Sequence, residues 1–257
     1  MLYPRHLRLS TIALTVLLGS MPRLSFAQQQ DSAATPWGVG IAVASTKRPY
    51  TGSGNKTMVL PVLSYEGEYV RVAGAGIDLK LGSTGPLDFA FRTKFALGDG
   101  YKSSDAPILN GMVARKGSLW AGPAVTWNAD FAKISFEVLA DALRKSKGIE
   151  GKLGIERNLR AGPFVFTPHA AADFVDKKYV DYYYGVTDSQ ATLNRPTYEG
   201  KSTINFEGGL RTAYMFNRTN SLFVDLNATA LGKGITDSPL VDRKVTPTVV
   251  LGYVYRF

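Results

Sequence analysis

From Trp37 to Phe257 apolar and polar residues alternate with a period of two, and after Ala27 no apolar run approaches the ~20 residues that a membrane-crossing helix needs. Successive side chains of a strand point to opposite faces, so each such segment is one-sided. Trp37, Val39, Ile41 and Val43 fall on one face, with Gly38, Gly40, Ala42 and Ala44 on the other; Leu87, Phe89, Phe91 and Phe95 oppose Asp88, Ala90, Arg92 and Lys94. The same reading sets Phe136 and Val138 against Glu137, Leu153 and Ile155 against Lys152, Phe206 and Leu210 against Glu207 and Arg211, and Leu222 and Leu226 against Asp225. Alternation alone also suits a soluble sandwich or a lipocalin-like barrel. If the apolar faces meet lipid, the strands must close on themselves, because hydrocarbon offers no partner to an unpaired N–H or C=O.

The expected fold is therefore all-β, a transmembrane antiparallel β-barrel of about 12 strands: 36–45, 57–66, 68–81, 87–97, 118–128, 131–141, 149–157, 163–174, 178–186, 202–216, 221–231 and 244–257. Ten is the alternative count, with 163–186 as one long strand. Short turns of a bacterial barrel face the periplasm and long loops the outside, yet this division puts the long 98–117 loop on the periplasmic side, which marks a miscounted hairpin. Gly74-Ala75-Gly76 reads as a place where strands approach or bend, and with no helix after it, not as a dinucleotide loop. Inside the barrel, Asp88, Glu137, Glu150, Glu156, Glu207 and Asp225 are expected to pair with Arg92, Lys94, Lys133, Lys152 and Arg211 across a narrow or plugged lumen.

Arg5, His6 and Arg8 followed by the short apolar stretch Leu9 to Leu18 and by Ser25-Phe26-Ala27 read as a cleaved signal peptide, residues 1–27, leaving 28–257 as a single barrel domain. The whole chain has 30 Lys and Arg against 21 Asp and Glu; losing Arg5, Arg8 and Arg23 leaves a mature charge of +6. Basic clusters at Arg144-Lys145-Lys147, Lys177-Lys178 and Arg243-Lys244 suit lipopolysaccharide phosphates if they face outward, and are otherwise solvated loop charge. Nucleic acid is not a partner expected of an exported barrel. With no cysteine and dispersed carboxylates, neither a metal site nor a cofactor is expected. The one histidine beyond the signal, His169, has Asp173 on its side of the same strand about 13 Å away, too far for a base and its orienting carboxylate, so no catalytic residue is assigned and the chain is expected not to be an enzyme.

Leu251, Tyr253, Tyr255 and Phe257 on one face of the last strand look like the signal read by the barrel assembly machinery. Tyr182, Tyr183 and Tyr184 are candidates either for a partner contact or for an aromatic girdle at the membrane interface. Asp181 to Val186, the polar stretch ending near Tyr198, Asp237 to Val241 and Gly252 to Phe257, with Ala140-Asp141 to Lys147-Gly148, Thr167-Pro168 and a looser match from Trp37-Gly38 to Pro61, together resemble the MipA/OmpV family. The resemblance implies a non-enzymatic barrel in the outer membrane of a Gram-negative cell, some relatives acting as scaffolds between a murein lytic transglycosylase and a murein polymerase, others in surface adhesion. A small channel for ions or solutes is the competing reading of the charged inner face.

Overall fold

The one-sided segments become strands in the computed structural model, which describes residues 37–96 and 99–257. The staves are β1 Trp37–Lys47, β2 Asn55–Glu66, β3 Val70–Ala73, β4 Gly76–Thr84, β5 Leu87–Phe95, β6 Leu119–Asn128, β7 Lys133–Asp141, β8 Ile149–Glu156 continued by Leu159–Ala161, β9 Phe164–Val175, β10 Thr203–Met215, β11 Asn220–Ala230 and β12 Val245–Arg256. Both parts of β8 pair with β9, so they form one stave. Each stave runs antiparallel to the next, and β12 pairs with β1 from Gly38↔Arg256 to Thr46↔Thr248, closing a barrel of 12 staves. The signal-peptide reading of residues 1–27 lies outside the described residues.

Two strand assignments are corrected. The stretch expected as one strand, 68–81, is the hairpin β3–β4, which turns at Gly74-Ala75 with Gly74 at φ 59°, a conformation that costs glycine little. The segment expected as strand 178–186 is a helix, α1, Lys177–Tyr184, whose first turn is capped by the Asp176 side chain accepting from the Tyr179 N–H at 2.9 Å. One strand was gained and one lost, which is why the total agrees.

The extra hairpin also removes the conflict over sidedness. The connections 48–54, 96–118, 142–148, 176–202 and 231–244 now all leave one end of the barrel. Tight turns at 67–69, 85–86, 129–132, 162–163 and 216–219 close the other, so that by the rule for bacterial barrels the first end is extracellular and the second periplasmic.

The faces fall as the alternation requires. Val39, Ile41, Phe89, Phe91, Phe136, Leu153, Phe206, Leu226, Leu251 and Tyr253 are all exposed on the outside, while Ala42, Ala44, Glu137, Glu150 and Asp225 are buried inside. A continuous apolar belt of this extent is far larger than a soluble monomer exposes, and it is the surface that lipid covers. No described helix is long and apolar enough to cross a membrane.

Candidate functional site

The lumen is crossed by ion pairs. Arg92 on β5 holds Asp78 of β4 in a two-pronged contact, Nε to Oδ1 at 2.7 Å and Nη2 to Oδ2 at 2.8 Å, and reaches Glu137 of β7 at 2.5 Å. That reach passes over β6, whose inward residues beside Arg92 and Glu137 are Gly122 and Ala124. Small side chains on the middle stave leave room for the long one. Lys94 then bridges Glu137 at 3.2 Å and Glu150 at 2.5 Å, Lys152 reaches Glu207 at 2.8 Å, Lys133 reaches Glu156 at 3.4 Å and Arg211 holds Asp225 at 2.8 Å. Most of the expected pairings are therefore present. Asp88 is an exception: it accepts from Ser83 and Asn128 near the periplasmic rim. Asp78 was missed, because reading 68–81 as one strand hid the inward face of β4.

His169 does not meet Asp173. Its Nε2 lies 3.8 Å from Asp225 Oδ1 on β11 and its Nδ1 3.3 Å from the Thr167 carbonyl, so the histidine belongs to the lumen's charge network.

The extracellular connections form a folded cap with its own core: Tyr50, Tyr101, Leu109, Met112, Val186 and Leu240 pack together, and beside them Val175, Val180 and Ile235. The loops are stitched backbone to backbone, with the Thr51 N–H on the Leu240 carbonyl at 2.9 Å and Val186 and Tyr198 exchanging bonds at 2.8 and 3.0 Å. Arg195 is buried among carbonyl oxygens, donating to Ile108 at 2.5 Å, to Asn110 at 2.9 Å and twice to Gln190. It ties connection 176–202 to connection 96–118.

The three tyrosines sit in this cap, on α1, and not at strand ends, so the girdle reading fails for them. Helical spacing turns them to different sides. Tyr183 is buried, Tyr184 stacks on Tyr50 at 5.7 Å between ring centroids, and Tyr182 lies under the Arg115 guanidinium at 4.9 Å. Tyr182 is thus the one of the three placed toward the basic residues Arg115, Lys145, Lys147 and Lys178, which line the same surface cavity. Below them, Asp99 accepts from the Tyr179 hydroxyl at 3.4 Å, and burial pushes its carboxyl up to about 6, with Glu150 adding to the shift. Leu251, Tyr253 and Tyr255 project outward from β12, on the face that meets lipid, and Phe257, just past the end of the strand, is exposed.

Comparison with known proteins follows from this barrel. A family model described as MltA-interacting protein MipA matches residues 39–257. The MltA-interacting protein of Escherichia coli (strain K12) is 24% identical over 253 residues, covering 97% of this chain and 99% of the relative. Outer membrane protein OmpV of Vibrio cholerae is 27% identical over 183 residues, 69% of this chain and 70% of its own. Among solved structures, an outer-membrane channel from Pseudomonas putida F1 is similar over 90% of this chain and 98% of that one, at 12% identity and a TM-score of 0.44.

Proposed function

The chain belongs to the MltA-interacting protein MipA family of the outer membrane, and from that membership we propose that it works as a non-enzymatic scaffold, docking a murein lytic transglycosylase and with it a murein polymerase. The observation that carries this reading is the family match over residues 39–257, on a barrel whose loops at one end fold into a cap with its own core and whose inner face is lined by ion pairs. The surface available to a periplasmic enzyme is the ring of tight turns, where Tyr69, Phe131 and Phe216 stand exposed. Aromatic anchors of this kind supply most of the energy of a small contact area.

The test is capture of the cell's lytic transglycosylase on the immobilised full-length barrel, with Tyr69, Phe131 and Phe216 replaced by Ala together in a second sample. Capture by the first and a loss of about tenfold in affinity by the second support docking on the turns. Stepwise conductance of the refolded barrel in a planar bilayer, with no capture, replaces the scaffold by a channel. Surface adhesion is the remaining reading, and it draws on the folded extracellular cap.

A further inference from the structure

The connection between β7 and β8, residues 142–148, carries Arg144, Lys145 and Lys147 and no carboxylate. It is folded around the side chain of Asp141, the last residue of β7. One carboxylate oxygen accepts from the Ser146 N–H at 2.5 Å, the Ser146 hydroxyl at 2.9 Å and the Lys147 N–H at 3.1 Å, and the other accepts from the Ser118 hydroxyl. Asp141 and Ser146 are buried, so this carboxylate is taken up by the loop's own frame, while Arg144, Lys145 and Lys147 stand exposed.

Local conformation does not ask for cations here. Arg144 and Lys147 sit at φ 55° and 57°, in the left-handed region where glycine, asparagine and aspartate are the favoured residues. Gly148 then packs the loop against the first turn of α1, where a Cβ added to it would meet the Tyr179 nitrogen at 2.9 Å. Beyond the Asp176 cap that turn has no acidic residue, and it carries Lys177 and Lys178 at the end of the helix whose dipole favours anions. Four basic residues thus stand where backbone preference would place something else, and such departures from local rules concentrate at functional sites.

Between the loop and α1 lies a cleft of about 850 Å³ rimmed by Arg115, Lys145, Lys147 and Lys178. Three carboxylates also line it: Glu199 is paired with Lys177, Asp181 accepts from the Gly200 N–H at 3.0 Å, and Asp188 is the third. Counting Lys177 with its partner, five cations face these three carboxylates, and Arg144 on the same loop adds a sixth. Among the described residues Lys145, Lys147 and Lys178 enter no ion pair, and Leu97 and Gly98, outside them, carry no charge. The Arg115 guanidinium lies over Tyr182, yet its Nε is buried with no hydrogen-bond partner among the described residues. A buried donor in that state on the wall of a basic cleft calls for an acceptor.

The apolar belt runs up to this cleft. Ile149 at the start of β8 and Phe174 near the end of β9 are exposed on the lipid face, Phe174 pairs with the exposed Ile204 of β10, and Leu143 stands exposed on the loop itself. Cations directly above a surface that acyl chains cover match a lipid whose head is phosphorylated.

We propose that the β7–β9 sector of the outer rim binds lipopolysaccharide of the outer leaflet. The phosphates of its lipid A head enter the cleft among Lys145, Lys147 and Lys178 and reach Arg115, and its acyl chains lie along Ile149, Phe174 and Ile204. The site is at the opposite end of the barrel from the periplasmic turns and stands or falls apart from the scaffold reading.

The test uses the full-length barrel refolded into maltoside micelles, with lipid A as the probe and native mass spectrometry as the readout. Saturable binding is expected, weakened about tenfold by Lys145→Gln, Lys147→Gln and Lys178→Gln together, and about tenfold when the phosphates are removed from the probe. Lys102→Gln, Lys233→Gln and Lys244→Gln together remove the same charge from other extracellular connections and should leave binding unchanged. All six lysines are exposed, so both variants should keep the folded band on a gel. Equal binding by the first variant and the parent overturns the proposal, as does equal weakening by the two variants, which would mean net charge alone. Displacement of lipid A by inorganic phosphate at an equal concentration also overturns it, since the cleft then takes a free anion.

Discussion

Arg195→Met isolates the cap from the barrel. The guanidinium is buried and donates four bonds to three carbonyl oxygens, on Ile108, Asn110 and Gln190, while the methionine keeps the unbranched stem and donates nothing. Bonds from a charged donor contribute roughly 1.5–3 kcal/mol each, and a buried carbonyl left open costs about 1–3 kcal/mol. These values overlap and do not add, because part of the arginine's own desolvation cost is recovered. A loss of about 3–4 kcal/mol is the expected sum, all of it assigned to the cap. At about 1.4 kcal/mol per factor of ten, the cap opens on the order of a hundred to a thousand times more often. Amide hydrogen exchange of the barrel in micelles reads this directly: peptides within 103–116 and 187–202 should accelerate, while β9 to β12 keep their protection. Unchanged exchange in both loops would refute the assigned role of Arg195. Simultaneous loss of protection in the staves would refute the idea that the cap is a unit separable from the wall.

Replacing Arg92 by Leu leaves Asp78 without its two-pronged partner and Glu137 with Lys94 alone, at a cost of about 3–5 kcal/mol; the temperature at which the folded band disappears on a gel should fall, and the double change with Asp78→Leu should recover part of the loss. Burial holds the folded Asp99 carboxyl near 6, above its unfolded value of 3.8, so its contribution to cap stability is present below about pH 4 and is lost as the pH rises through 6. Exchange in the cap, corrected for intrinsic rates, should therefore be slower at pH 5 than at pH 7, and the Asp99→Asn protein should lack that difference. Intact mass of the protein purified from outer membranes should begin at Gln28, and a mass that retains residues 1–27 would end the signal-peptide reading.

The assembly signal at Leu251, Tyr253, Tyr255 and Phe257 remains a proposal; the outward placement of the first three on β12, with Phe257 exposed just past its end, is what an assembly factor approaching from the lipid side needs. Tyr182 stays a candidate partner contact by its place beside Arg115, whereas Tyr183 and Tyr184 hold the cap together.

Period-two alternation determined, from the chain alone, that this is an all-β protein whose strands each carry an apolar and a polar face; which face turns outward was settled by the closed barrel. That rule is local, and a strand's two faces follow from it wherever the strand ends up. The sequence even carried the sign of its own misreading, a long loop on the wrong end, and Gly74-Ala75-Gly76 was the turn that resolved it. Helix α1 was not legible, because Tyr179 to Tyr184 has strand-like composition; a cap at Asp176 and burial of Val180 and Tyr183 against loops distant in sequence outweigh that preference. The partners of Arg92, Arg195 and Asp99 were decided only by closure of the barrel and folding of the cap. Each depends on which strands and loops become neighbours, and that is set by pairing between residues far apart in the chain, which no local period encodes.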